Sequence, residues 1–159
     1  MHRHMASRTL TVACVAALVL GIASPAPAGT HKCSLATVAG TYELTTTGSI
    51  PAIGPVSAVG TMTFDRAGNL SGSQTRSLNG AVAEETFTGT ITVNPDCTGT
   101  EVVQVFQDGP LVRTSTINVV IDDNGRAARS LITSVVLPDG TRLASILTID
   151  ARRLFVPTN

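Results

Sequence analysis

The sequence predicts an all-β domain, with an eight-stranded antiparallel up-and-down β-barrel as the first choice and a two-sheet β-sandwich as the alternative. The chain after the N-terminal segment is rich in Thr, Val, Ile, Ser and Gly and shows almost no helical periodicity. Turn sequences recur about every 10 to 14 residues, and no connection is long enough to hold a crossover helix. Neighbouring strands should therefore be antiparallel, and a meander of this length leaves exposed edges unless it closes on itself.

Eight strands are expected, each bounded by turn residues. Their ranges are Gly40–Thr47, Val56–Phe64, Asn69–Leu78, Glu84–Val93, Thr100–Gln107, Leu111–Ile121, Arg126–Leu137 and Thr141–Asp150. Connections such as Asp65–Asn69 and Asp122–Gly125 contain Gly or Asn, which accept positive φ. Only the first connection, Gly48–Pro55, is longer; it is expected to be a surface loop, with a lid or rim loop as the alternative. Glycines within strands indicate bends at barrel corners, at Gly60, Gly72 and Gly89.

The N-terminus is typical of a secretory signal peptide. Met1–Arg8 is short and basic, Leu10–Ala23 is an apolar run of about 14 residues, and Ala26-Pro27-Ala28 places small residues where signal peptidase reads them. The run is shorter than the about 20 residues that cross a bilayer, and no later segment is apolar and long enough to do so. We predict a signal peptide over residues 1–28 cleaved near Ala28, a single barrel domain over 29–159, a secreted or periplasmic location and no membrane insertion.

Cleavage would leave two of the three cysteines, because Cys14 lies within the predicted signal peptide. In an exported protein, a pair such as Cys33 and Cys97 is more often a disulfide than two free thiols. Two unpaired thiols and an intermolecular bridge are the alternatives. An intramolecular bridge would join the segment before the first strand to the turn between the fourth and fifth strands, at one end of the barrel.

Composition excludes several functions. Loss of the signal peptide changes the formal net charge from zero, with 11 basic and 11 acidic residues, to about −2. With no basic patch, one Tyr and no Trp, nucleic-acid binding is not expected. The only histidine left is His31, near the new N-terminus, so histidine-dependent catalytic sites and metal sites are not expected either. No phosphate-binding glycine loop is present, and we expect no cofactor.

Polar residues within strands are the candidates for a site in the lumen. A barrel strand alternates between lumen and exterior, so about half of them should point inward. An inward Glu or Arg must be paired, and such a pair in a small apolar cavity can orient a ligand or polarise it for acid/base chemistry. The alternative is that they line the solvated face or a closed polar network. The candidate ligand-binding residues are Tyr42, Glu43, Gln74, Arg76, Gln104 and Arg113, and Glu101 and Asn118 belong to the wider set of polar residues in strands.

Three motifs resemble those of small secreted bacterial proteins of uncharacterised function. They are C-S-L-A-T-V-A-G-T-Y from Cys33, V-G-T-M-T-F-D-R-A-G-N-L-S-G from Val59 and F-T-G-T-I-T-V-N-P-D-C-T-G-T from Phe87. The resemblance covers about residues 33–110 and implies export, a disulfide and an architecture similar to allene oxide cyclase and lipocalin-like barrels. Plant allene oxide cyclases bind an epoxide in a hydrophobic barrel cavity with a few polar residues. Glu43 is the acidic residue whose position is reminiscent of a carboxylate in that lumen.

Three functions fit these observations. The first is a non-catalytic binding module for a small apolar ligand or a protein partner. The second is a cyclase or isomerase that acts through cavity shape and one or two polar groups, and the third is a structural envelope protein with a packed lumen. An open lumen argues against the third, and an inward carboxylate favours the second over the first. Apolar residues on both faces of the late strands, as in Leu131–Leu137, also make a homo-oligomer an open alternative.

Overall fold

The computed structural model describes residues 32–154, so the predicted signal peptide lies outside the described residues. A four-residue helix, α1, precedes the sheet, and a 3-10 turn at Asp123–Gly125 precedes β7. The elements are α1 (Leu35–Val38), β1 (Gly40–Ile50), β2 (Gly54–Phe64), β3 (Asn69–Leu78), β4 (Ala81–Val93), β5 (Thr98–Phe106), β6 (Leu111–Asp122), β7 (Ala127–Val136), β8 (Arg142–Leu143) and β9 (Ile146–Arg153).

The strands form one closed antiparallel barrel. Each of β1 to β6 pairs with the next strand along the chain, β6 pairs with β7, β7 with β9, and β9 with β1. This ring contains eight strands, and the two-residue β8 is an extra strand that pairs only with the end of β7. The predicted eight-stranded up-and-down barrel is confirmed, and the alternative of a two-sheet sandwich is wrong.

Two expected elements differ from the structure. Gly48–Pro55 is not a long loop, because β1 continues to Ile50, β2 begins at Gly54, and the turn between them closes with a 2.8 Å hydrogen bond from Ile53 N to Ile50 O. The predicted eighth strand, Thr141–Asp150, is divided into β8 and β9. The division lies opposite an irregularity in the β6–β7 register, where Thr133 is skipped, and such a bulge bends the strand and interrupts its ladder.

The N-terminal segment closes one end of the barrel. Cys33 and Cys97 form the intramolecular disulfide, with their Cα atoms 4.9 Å apart, so that prediction is confirmed. Helix α1 follows directly, and its last residue, Val38, is buried in the core. At the same end the Tyr42 hydroxyl donates to the Gly125 carbonyl at 2.7 Å, beneath the start of β7. The segment therefore acts as a plug between the strand ends.

The outside of the barrel is mixed in polarity. Val59 on β2 and Val82 on β4 are more than half exposed, and Leu131 on β7 is nearly so. These apolar side chains are spread around several strands, and single exposed apolar residues are normal on a protein surface. A homo-oligomer stays a prediction. None of the helices in residues 32–154 is long and apolar enough to cross a membrane.

Candidate ligand-binding cavity

The barrel encloses a cavity of about 310 Å³. Every one of the eight ring strands contributes to its wall, and most of the lining side chains are apolar, among them Leu44, Phe87, Val103 and Ile117. Ligand sites in proteins are typically concave, mostly apolar spaces of about 300–1,000 Å³ with a few polar groups. The lumen is therefore not filled by its own side chains, and it is large enough for a small molecule.

The cavity opens at the end opposite the plug. Ile53, in the turn between β1 and β2, lines the cavity although 42% of its surface is exposed. Ile50, Val56 and Leu147 form a separate small apolar cluster at this end. The mouth is thus framed by hydrophobic residues, and a molecule would enter past the β1–β2 turn.

A charged cluster lies inside the wall of the cavity, centred on Glu85. The Glu85 side chain has no exposed surface, and its carboxylate accepts bonds from both guanidinium groups of Arg76 and Arg113. Arg113 donates through Nη1 and Nη2 at 2.7 Å each, Arg76 through Nε at 2.7 Å, and Gln74 through Nε2 at 2.8 Å. Three strands, β3, β4 and β6, supply this cluster, so it also ties the wall together.

The electrostatics of Glu85 follow from these contacts. Burial alone raises the pKa of this carboxyl, but the hydrogen bonds and charge of Arg113, with hydrogen bonds from Gln74 and Arg76, outweigh it and hold the pKa at about 2. Glu85 is therefore ionised at every physiological pH. A carboxylate bound by four donors in this way orients its partners and is a poor acid or base.

Arg76 has a hydrogen-bond donor for which the described residues offer no acceptor. Its Nη1 is buried and has no hydrogen-bond partner among residues 32–154. Buried donors are almost always paired, since an unpaired one loses its bonds to water without replacement. The two arginines also exceed the single carboxylate by one charge, so the cluster carries one net positive charge.

Glu101 provides a second carboxyl, at the floor of the cavity. It is only 5% exposed, it lies opposite Ile91 on β4 and Ile117 on β6, and it borders both the main cavity and a small void of about 10 Å³ on the plug side. Burial raises its pKa to about 7, with no opposing contribution from a hydrogen bond or a cation. Tyr42 is the other titratable residue on that void, and its hydroxyl faces Gly125 and Arg153 instead.

Three of the six predicted site residues line the cavity together: Gln74, Arg76 and Arg113. Tyr42 is buried at the plugged end, outside the main cavity. Glu43 and Gln104 point to the exterior, because their strand neighbours on either side are buried and side chains alternate along a strand. The carboxylates of the lumen are accordingly Glu85 and Glu101, and the suggested lumen position of Glu43 is corrected.

Glu85 was not among the predicted site residues, although the sequence contains a signal for it. It has the same parity as Phe87 and Ile91 along β4, and side chains of equal parity share one face. Two large apolar residues on that face indicate the lumen side. The neighbouring Glu84 has the opposite parity, and its carboxylate accepts from Thr75 on the exterior.

Comparison with known proteins finds likeness among solved structures only. No protein-family model and no curated protein matches the sequence. Among solved structures, the S-type phycobiliprotein lyase CPES from Guillardia theta is similar, with 8% sequence identity, a TM-score of 0.45, and coverage of 80% of this chain and 96% of that chain. At this identity and TM-score the likeness carries no information on ligand or activity. The resemblance to the small secreted bacterial proteins stays a prediction beyond the barrel itself.

Proposed function

We propose that this protein is an exported barrel that binds a small, mostly apolar molecule in its lumen without transforming it. The observation that carries the proposal is the cavity of about 310 Å³, lined mainly by apolar side chains and open at the β1–β2 end. Its polar groups are few and lie at fixed places in the wall, as is usual in ligand sites. The disulfide between Cys33 and Cys97 supports an oxidising compartment outside the cytosol.

Native mass spectrometry of the protein purified from its own host tests this function directly. We expect a second, heavier species whose excess mass is lost on mild activation or denaturation. A matched pair of variants shows whether that molecule occupies the lumen. Ala58→Trp fills the cavity from a position that is 2% exposed, whereas Val59→Trp adds the same bulk on the exterior of β2, where the native residue is 58% exposed. Retention lost only in Ala58→Trp supports the proposal, and equal retention in both contradicts it.

An inward carboxyl favours a cyclase or isomerase, and Glu101 is such a carboxyl. This function stays the second candidate because the other carboxyl of the lumen, Glu85, is held ionised by four donors and is a poor acid or base. Glu101 is a carboxyl without partners in an apolar cavity, and burial brings its pKa to about 7. A group that titrates near the working pH can both donate and accept a proton efficiently. Such a residue can serve a ring closure or double-bond shift without any histidine or metal.

Incubating the extracted ligand with fresh protein separates the two functions. An isomerase should convert it to an isomer of equal mass that chromatography resolves, and Glu101→Gln should abolish the conversion while the ligand still binds. Recovery of unchanged ligand from the unsubstituted protein would leave binding as the function.

A further inference from the structure

We infer that the ligand is a monoanionic amphiphile of the carboxylate class, with its charged end against Arg76 and Arg113 and its apolar body directed toward the floor of the cavity. This inference rests on the proposed function, and it adds the chemical class and the orientation of what is bound. Four features of the cavity support this inference. They are the position of the charged cluster, the net charge of the cluster, its unpaired donor and the mostly apolar wall below the cluster.

The charged cluster lies on the mouth side of the lumen. Arg76 is two residues from the end of β3 at Leu78, and Arg113 is two residues from the start of β6 at Leu111. Both strands reach the open end of the barrel at these residues, since the plug lies at the other end of each. A charged group held here keeps access to solvent, while whatever follows it must enter the apolar lumen.

The charge of the cluster matches one negative charge. Glu85 neutralises one of the two arginines, and the other charged group on the cavity wall is Glu101 at the floor. A carboxylate would cancel the remaining positive charge, whereas a phosphate monoester carries about −1.5 to −2 at neutral pH and would overcompensate it. An amine would add a like charge, and a neutral ligand would leave the excess charge in a mostly buried site.

The geometry of the unused donors also suits a carboxylate. Arg76 bonds Glu85 through Nε, and its Nη1 has no hydrogen-bond partner among the described residues. The side chains of Arg76 and Arg113 line the cavity and are 14% and 21% exposed, so a turn of the Arg76 guanidinium brings its buried Nη1 to the cavity. A planar guanidinium edge and a planar carboxylate form two parallel hydrogen bonds, which is the strongest pairing available to arginine.

Below the cluster the wall is mostly apolar down to Glu101, with Ser115 as a polar residue on β6 between Arg113 and Ile117. Phe87, Val103, Ile117 and Leu44 line this part of the cavity. Along β4, Ile91 opposite Glu101 is six residues beyond Glu85, which is about 20 Å at about 3.3 Å per residue. Along β6, Ile117 opposite Glu101 is four residues beyond Arg113, which is about 13 Å. The floor therefore lies about 13–20 Å from the cluster, measured along the strands. A single elongated apolar chain would follow this path, and the neutral form of Glu101 would meet its far end.

A series of probes with one chain and different head groups tests the inference on the unsubstituted protein. Dodecanoate and dodecylamine below their micelle concentrations, and dodecanol below its solubility limit, are titrated by displacement of a neutral fluorescent apolar probe. Charge-assisted hydrogen bonds predict that dodecanoate binds at least about tenfold more tightly than dodecanol, and that dodecylamine binds most weakly. Equal affinity for the acid and the alcohol, or a preference for the amine, overturns the inference while the binding function stands. If the fluorescent probe binds and none of the three displaces it, the inference is wrong and the binding function stands. If the probe itself does not bind, and filling the lumen in Ala58→Trp excludes neither it nor the dodecyl compounds, the binding function is wrong.

Variants then assign the effect to the arginines. Arg76→Gln should lower the affinity for dodecanoate about tenfold or more and leave that for dodecanol within about twofold. Glu85→Gln removes the competing carboxylate and should raise the affinity for dodecanoate. The control Arg152→Gln, on the exposed outer face of β9, should change neither. A general disturbance of the fold would weaken the binding of both dodecanoate and dodecanol in Arg76→Gln and in Glu85→Gln. The assignment is supported if the affinity for dodecanoate alone changes, falling in Arg76→Gln and rising in Glu85→Gln. It is overturned if both variants lose affinity for both compounds.

Discussion

Replacing Glu101 by glutamine should stabilise the protein at neutral and alkaline pH. The carboxyl is 5% exposed and lies between isoleucines on the two neighbouring strands. Burial raises its pKa from 4.5 to about 7, and no described group counteracts this. Glutamine keeps nearly the same shape and cannot ionise. The substitution therefore removes a charge that the folded barrel holds unfavourably.

The size of the effect follows from the pKa difference. Because the folded-state pKa lies above the unfolded value, the folded state holds this proton more tightly. The contribution of Glu101 is fully present below about pH 4.5 and is lost as the pH rises to about 7. At about 1.4 kcal/mol per pKa unit, the loss in the free energy of unfolding is up to about 3 kcal/mol. This is an upper figure, since the neighbouring cavity can admit water that screens the charge.

Urea unfolding at pH 5 and pH 8, followed by circular dichroism, measures this difference. The unsubstituted protein should be less stable at pH 8 than at pH 5 by up to about 2.5 kcal/mol, since pH 5 already lies above the unfolded pKa of 4.5, and Glu101→Gln should lose most of that difference. Glu43→Gln, on the exposed face of β1, is the matched control and should follow the unsubstituted protein. An unchanged pH profile in Glu101→Gln would refute the reasoning, because it would mean that the carboxyl does not titrate in this range.

Three further substitutions test other parts of the fold. Cys97→Ser should lower the free energy of unfolding by about 4 kcal/mol under oxidising conditions, since the bridge closes a loop with a sequence separation of 64. Cys33→Ser should cause the same loss, and a double variant that loses the sum of the two would contradict a shared bridge. Tyr42→Phe removes a buried hydrogen bond and should cost about 1–3 kcal/mol in urea unfolding, and no loss would show that the hydroxyl is dispensable to the plug. Glu85→Ala leaves two half-buried arginines without their shared carboxylate and should cost about 3–5 kcal/mol, against less than about 0.5 kcal/mol for the exposed Glu84→Ala. The same Glu85 variant should lose the decline in stability that the unsubstituted protein shows as the pH falls from about 5 toward 2, because the lowered pKa of Glu85 contributes stability only above that range.

The fold was predictable because its signals are local. Turn residues and strand-length runs of β-branched residues are read within a few positions, and the bounds of β3, Asn69–Leu78, agree with the prediction at both ends. The longer loop expected at Gly48–Pro55 does not form, although Pro51 and Pro55 are residues typical of loops. Pro55 instead lies in β2 close to its start, where proline is tolerated in a strand. The break between β8 and β9 depends on the bulge at Thr133, which is set by pairing with β6 and has no local sequence signal.

The site was only partly predictable because it depends on which face of each strand points inward. On β1 the buried Tyr42 and Leu44 determine that Glu43 points outward, a pattern that the sequence does contain. Around Gln104 valines occupy both faces of β5, so alternation does not decide its direction before the barrel closes. The joining of Glu85 with Arg113, 28 residues later, depends on the register of three strands. Such registers are fixed by the closed barrel as a whole.

Two polar groups that lower the stability of the folded barrel lie at opposite ends of the same cavity. Arg76 has a buried donor without a partner near the mouth, and Glu101 has a buried carboxyl without a partner at the floor. A barrel selected for stability alone would fill its lumen and replace both groups by apolar side chains, as replacement of buried charges often costs nothing. An elongated carboxylate would remove the first penalty by accepting from Arg76, and its apolar chain would fill the space between the two groups. Dodecanoate at about 100 times its dissociation constant should therefore raise the free energy of unfolding by about 2.7 kcal/mol, and a melting temperature that does not move at such a concentration would contradict binding to the folded barrel.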